Sequence, residues 1–203
     1  MTLTAHPPGI AAAHRATAVQ QRSGHLRVPR PYALRPAAPC DAEAVSRFLG
    51  ALSPESAFAR FFSPLGKPSP ALVRALVQTG PTRGAWLATV RSTAQHTGPQ
   101  QVVGHASWAT TGRTGEISVV VADEVQRTGL GRALVEQVLD DLRHTPVDRL
   151  AVDVLAANRV VIAMIGRRWP AARAVRDGTA LTYLVQLDRS GTACCTTAQP
   201  TLA

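Results

Sequence analysis

Lysine is nearly missing from this chain: among 203 residues Lys67 is the only one, and the remaining basic side chains are arginines. With no Gly-Lys-Ser/Thr triplet, a P-loop is excluded. Aromatics make up 4% of the residues, and the arginines are scattered over tails, loops and helix faces, which argues against a nucleic-acid surface. Cysteine is scarce too. Cys40 stands alone and Cys194-Cys195 are adjacent, which is neither a disulfide framework nor a metal spacing. His96, His105 and His144 form no ligand pattern and read as surface or strand histidines. No apolar run approaches the roughly 20 residues a membrane-spanning helix needs. Residues 1–21 hold no continuous apolar core of secretory type, since Ala11-Ala12-Ala13 runs into His14 and Arg15. A cytoplasmic protein with no membrane contact and no metal is expected. Acids are outnumbered, 13 against 22 basic residues, for a net charge of +9, a field that steers anionic ligands.

What the chain does have is one strongly organised stretch. Residues 116–122, Glu-Ile-Ser-Val-Val-Val-Ala, have the composition of a strand buried on both faces. Residues 130–143 place Leu130, Leu134, Val135, Val138, Leu139 and Leu142 at helical spacing, with Arg132, Glu136, Gln137, Asp140 and Arg143 mostly opposite. That is an amphipathic helix. Between the two lies Gln126-Arg-Thr-Gly129-Leu-Gly131. Glycines at alternate positions let backbone N–H groups approach a ligand, and the helix dipole favours an anion at the same point. A dinucleotide fingerprint needs a small residue three places after the second glycine, where Leu134 stands instead.

The rest of the chain arranges itself around this stretch. A strand over 32–35 stops at Pro36, and Asp41 caps a helix carrying Ala44, Val45, Phe48, Leu49 and Leu52 on one face. Ser53-Pro54 and Ser69-Pro70 open two more helices, each with proline at the first helical position. Strands over 85–90 and 102–108 flank a polar loop, and residues 111–115 turn into the organising strand, which makes an antiparallel meander. Pro146 breaks the chain before a strand over 149–155; a strand, crossover helix and strand require parallel, right-handed pairing. Asn158 starts a helix with Val161, Ile162 and Ile165 inward, ended by Trp169-Pro170. Residues 180–187 alternate, as an edge strand or hairpin partner does. Residues 1–30 and 189–203 lack periodicity and read as disordered tails around a domain spanning 31–188. The expected fold class is α/β (α+β mixed sheet), a central mixed sheet flanked by helices.

Gln126-x-x-Gly129-x-Gly131, with its Val-Ala-Asp-Glu-Val lead-in, resembles motif A of the GNAT family, the Gcn5-related N-acetyltransferases. The order β-α-α-β-β-β-α-β-α-β is similar to theirs over residues 32–187. Leu34-Arg-Pro36, Leu52-Ser-Pro-Glu-Ser56 and Arg60-Phe-Phe62 resemble in particular the acetyltransferase domain of bacterial protein lysine acetyltransferases. The resemblance implies an acetyl-CoA-dependent N-acetyltransferase whose turn wraps the pyrophosphate of CoA. The expected contacts are Gln126, Arg127, Thr128, Gly129, Leu130, Gly131 and Arg132, with Arg127, Arg132 and Thr128 offering side chains. It also implies that the strand splays from the next one and frees backbone groups of Val119, Val120 and Val121 for the pantetheine arm and the thioester oxygen. A fully paired central strand is the alternative. Asn158 matches an asparagine near the pantetheine, and is equally a good helix cap.

Glu116 is the expected general base, as a partly buried carboxylate positioned to take the amine proton; an exposed strand-end glutamate is the alternative. Asp123 and Glu124 read as solvated. One departure stands out: the tyrosine with which many GNAT proteins protonate the leaving thiolate falls at Ile165, and the usual Gly-Phe ending of that helix becomes Trp169-Pro170. The expected acceptor is a primary amine. A protein lysine is favoured over a small-molecule amine, because acids are few and segments 53–65 and 166–174 are basic on balance. A non-catalytic acyl-CoA-binding regulatory module is the second reading. A homodimer is compatible with the sequence, which fixes no oligomeric state.

Overall fold

The computed structural model describes residues 32–91 and 100–187. The two tails, His96, most of the polar loop before residue 101 and the Cys194-Cys195 pair lie outside the described residues. Seven strands, β1 (Tyr32–Pro36), β2 (Arg83–Val90), β3 (Gln101–Thr111), β4 (Thr114–Val121), β5 (Arg149–Leu155), β6 (Arg173–Asp177) and β7 (Ala180–Gln186), form one sheet in the order β1-β2-β3-β4-β5-β7-β6. The expected antiparallel meander is β2 to β4, and β1 pairs antiparallel with β2 beside it; β4 and β5 are parallel, and β5, β7 and β6 are antiparallel. The fold is thus the mixed sheet expected, with one addition. Residues 180–186 take the hairpin-partner role of the two expected, and their partner β6, at the edge opposite β1, is an entirely exposed strand without apolar alternation.

Three helices, α1 (Ala42–Gly50), α2 (Pro54–Phe61) and α3 (Pro70–Val77), cover one face; α4 (Leu130–Arg143) crosses the other, where α5 (Arg159–Arg168) joins it through an Arg168–Glu136 contact at 3.4 Å. Ser53 and Ser69 cap α2 and α3 as their Ser-Pro sequences predict, accepting from the N–H groups of Ser56 and Leu72 at 3.1 and 3.2 Å. Asp41 does not cap α1. Its carboxylate instead takes both ends of the Arg35 guanidinium, at 2.6 and 2.7 Å, and the Ala38 N–H at 2.8 Å. A bidentate charged pair outweighs one neutral cap bond.

Leu130, Leu134, Val138, Leu139 and Leu142 of α4 are buried against the sheet, and burial of each stabilises by roughly 1.5–3 kcal/mol. A polar clamp fixes the helix laterally: the indole N–H groups of Trp86 (β2) and Trp108 (β3) both donate to the same Asp141 oxygen, at 2.8 and 2.9 Å. Among the described residues no helix is long and apolar enough to cross a membrane.

Candidate active site

The site begins where β4 and β5 stop being paired. Their register runs Thr114–Arg149, Gly115–Leu150 and Glu116–Ala151, and ends there, leaving the rest of β4 open on that side. The N–H of Ala122 donates to the Val103 carbonyl at 2.9 Å. Backbone direction alternates along a strand, so Val120 also turns its N–H and C=O toward β3, while Val119 and Val121 turn theirs into the opening. The structure therefore narrows the expected trio to Val119 and Val121; Val120 contributes a buried side chain. The expectation of burial on both faces fails for the same reason. Ile117, Val119 and Val121 are half-buried, because beside them the sheet is parted.

Register also sorts the two faces. Ile117 pairs with Trp108, which bonds to α4, so Ile117, Val119 and Val121 face that helix. Glu116, Ser118 and Val120 face the α1–α3 layer, where Ser107, the partner of Ser118, accepts from Arg60 Nη2 at 3.3 Å. Glu116 sits at the fork itself, and it is exposed, not partly buried as expected. Across the opening Asp153 shares its face, with a carboxylate oxygen accepting from the Thr182 hydroxyl at 2.6 Å. Neither acid pairs with a cation among the described residues. Asp153 was not singled out from the sequence. The available signal was alternation: Leu150, Val152 and Val154 are buried, and Ala151 and Asp153 point the other way.

At the top of β4 a 3-10 turn over Asp123–Val125 leads into the glycine turn. Arg127 (φ 60°) and Gly129 (φ 89°) are both left-handed, a conformation glycine adopts at little cost and arginine seldom does. Gly129 is the N-cap of α4 and no side chain caps that helix, so its first-turn N–H groups face outward uncapped. Gly131 is different. A Cβ there would meet only Val121 Cγ2, at 3.6 Å, which is ordinary contact, and its backbone is helical. Nothing inside the protein requires glycine at this point, where alanine is the better helix former.

Arg127 and Arg132 are exposed beside the turn and form no ion pair among the described residues. The Thr128 hydroxyl donates to the Val125 carbonyl at 2.7 Å, Leu130 is buried, and the Gln126 amide reaches back to the Val121 carbonyl at 3.3 Å. Asn158 caps α5, accepting from the Val161 N–H at 3.2 Å. Asp123 and Glu124 are exposed, as expected, but Asp123 is also held by hydrogen bonds from Ser53 and Ser56. Burial pushes its carboxyl up, but hydrogen bonds from Ser56 and Ser53 outweigh that and hold it below the usual range. Ile165 is buried in the core. The chain's two tyrosines stand elsewhere, Tyr32 in the edge strand β1 and Tyr183 in β7, so no phenol occupies the position expected of a general acid.

On the α1–α3 side of the sheet lie the buried His105 and the half-buried Arg60. His105 is fully enclosed; its Nε2–H donates to the Leu76 carbonyl at 2.9 Å, and Nδ1 has no partner among the described residues. Burial drives its pKa down to about 4, opposed by the Leu76 bond and helped by the charge of Arg60. Burial lowers the Arg60 pKa to about 10, and its Nε is sealed without a partner among the described residues.

Residues 85–168 match the family described as Acetyltransferase (GNAT) family, an interval that holds the fork, the glycine turn, α4 and α5. Over that interval the chain is similar to the GNAT acetyltransferases. Solved structures share the GNAT fold. The GNAT domain of the *S. lividans* protein PAT is 22% identical, with a TM-score of 0.66 over 77% of this chain and 90% of that one. *Arabidopsis thaliana* NAA60, in complex with a bisubstrate analogue, is 16% identical, with a TM-score of 0.58 over 78% and 100%. The paiA N-acetyltransferase of *Thermoplasma acidophilum*, in complex with coenzyme A, is 10% identical, with a TM-score of 0.59 over 77% and 99%. No curated protein matches the sequence.

Proposed function

We propose that this GNAT domain transfers the acetyl group of acetyl-CoA to a lysine side chain on the surface of another protein. The observation that carries the cofactor half is Gly131. It is a glycine with no steric or conformational need inside the protein, placed on the uncapped first turn of α4 beside the open side of β4. A ligand whose phosphates approach the backbone supplies the missing reason. The N–H groups of residues 129–132, with Arg127 and Arg132, would hold the diphosphate, and the Val119 and Val121 backbone would line the pantetheine arm.

When bound, acetyl-CoA supplies an activated acyl carbon. The chain's own work is to orient the amine and remove its proton. Glu116 stands exposed at the fork and takes one proton from the ammonium group, directly or through one water, which frees the nitrogen lone pair to bond to the acyl carbon; the nitrogen's second proton passes to solvent as the amide forms. The C–S bond then breaks, and the thiolate takes its proton from solvent, because Ile165 stands where a phenol was sought.

The acceptor half rests on charge. In a chain with 22 basic and 13 acidic residues, Glu116 and Asp153 flank the opening without a cation partner among the described residues and suit an arriving ammonium group. Outside that mouth the same face carries the exposed Arg173, at the far end of the Glu116–Ala151–Leu184–Arg173 row. An acidic protein surface around a single lysine fits that arrangement, and a polycationic small amine does not. The second reading, a non-catalytic acyl-CoA-binding module, is favoured by the absent phenol alone. Incubation with acetyl-CoA and lysine peptides, with CoA release and acetyl-lysine both followed, separates the readings. Amine-dependent release is expected. CoA binding without any release supports the module, and faster acetylation of small amines than of any peptide or protein refutes the lysine assignment.

A further inference from the structure

We propose that Asp123 is a positioning residue for the glycine turn, latching the acceptor-side helix α2 to the cofactor-side backbone; this rests on the reading that the turn holds the diphosphate of acetyl-CoA. One Asp123 oxygen accepts the Ser53 N–H at 2.9 Å, and the other accepts the hydroxyls of Ser53 and Ser56 at 2.8 and 2.6 Å. These partners come from the start of α2, about 70 residues away in the chain. The circuit then closes on the turn. Gln126 Nε2 donates to the Ser56 hydroxyl at 2.9 Å, to Asp123 at 3.3 Å and to the Val121 carbonyl at 3.3 Å. Ser53 meanwhile accepts the Ser56 N–H as the cap of α2. Each hydroxyl is used once as donor and once as acceptor, so the network tolerates one arrangement of protons and positions.

The turn needs such a restraint. It holds two residues with left-handed backbone, one of them an arginine, within three positions. Left alone, segments in this conformation relax. The latch fixes both of its approaches: Val121, the last residue of β4, through Gln126, and the 3-10 turn through Asp123 itself. Because α2 also places Arg60 on Ser107, one rigid helix spans from the acceptor face to the phosphate-binding backbone. The Ser-Pro-Glu-Ser sequence thereby gains a physical task beyond capping: its two serines hold the turn in the shape that binds.

The test compares Ser56→Ala, Ser56→Thr, Asp123→Ala and Glu55→Ala in the full chain. It reads the KM for acetyl-CoA, the KM for the amine, kcat, the calorimetric Kd for CoA and the melting temperature. Ser56→Ala keeps the Ser53 cap and removes only the Ser56 hydroxyl. It is expected to raise the acetyl-CoA KM and the CoA Kd about tenfold, the worth of one or two hydrogen bonds to a charged group, with the amine KM and kcat within about threefold. Asp123→Ala raises them further, Ser56→Thr restores them, and Glu55→Ala changes nothing. A fall in melting temperature or active fraction with an unchanged acetyl-CoA KM in both Ser56→Ala and Asp123→Ala overturns the latch, leaving only a structural role. If Asp123→Ala does not fold, Ser56→Ala decides alone. A wild-type chain that binds no CoA overturns the function reading and the latch with it; wild-type binding matched by unaltered variants overturns the latch only.

Discussion

Gly131 and Glu116 test opposite halves of the chemistry. Gly131→Ala adds a methyl where the protein leaves room, and it exchanges a poor helix former for the best one. Stability is therefore expected to hold or rise by up to about 1 kcal/mol, while CoA affinity falls at least roughly tenfold as the methyl meets the diphosphate. Thermal melts and calorimetric titration on one preparation show both effects, and wild-type affinity in the variant removes the backbone-approach argument. Glu116→Gln keeps shape and loses the proton acceptor; kcat is expected to drop by roughly 10²-fold with acetyl-CoA affinity unchanged. A drop of only a few-fold moves the base elsewhere, with Asp153 the next residue to replace. The glycine turn was readable from its spacing and residue types, whereas Glu116 was expected only from the family resemblance, and its exposure departs from the partial burial expected there. Asp123 was not readable, since its partners are about 70 residues away and nothing local distinguishes it from any exposed acid before a turn.

Among elements, α4 shows what amphipathic spacing reveals and what it hides. Its five buried apolar residues follow from period alone, whereas the inward role of Asp141 depends on two tryptophans from different strands. Asp141→Ala leaves both indole N–H groups without their acceptor and is expected to cost about 3 kcal/mol, measured by urea unfolding. Gly84→Ala attacks the same clamp from the sheet: a Cβ at residue 84 would stand 2.5 Å from Trp108 Nε1, so the indole must move off Asp141. Its stability loss should be similar, and smaller in the Asp141→Ala background, because the two share one interaction. Capped helices and the meander were legible for local reasons, namely Ser-Pro starts and alternation. The edge strand β6 was missed because its five residues are all exposed; only pairing with β7 makes them a strand. That pairing is also why β7 lies inside the sheet.

For the molecule as a whole, the buried His105 sets a pH dependence. Its folded pKa of about 4 lies below the ordinary 6.5, so between those values the unfolded chain binds the extra proton. Stability is then expected to rise from pH 4 to 6.5 and to fall on acidification through the same window, by on the order of 3 kcal/mol. Asp41, held down by the Arg35 hydrogen bonds against its own burial, extends the acid limb further: its contribution is present above the ordinary carboxylate pKa and is lost as pH drops through its folded value. Denaturation curves across pH measure this, and His105→Leu should flatten the slope between pH 4 and 6.5 while leaving the lower limb.

The parting of β4 from β5 has one more consequence. Three residue pairs join the two halves of the sheet, so the Val119 and Val121 amides belong to an edge that happens to lie in the middle. Placed among the most protected strands, they should trade their hydrogens for deuterium as fast as a border strand does, and slow sharply once CoA is added. Deuterium labelling would then show a narrow, ligand-dependent stripe of fast exchange running through the centre of an otherwise protected sheet.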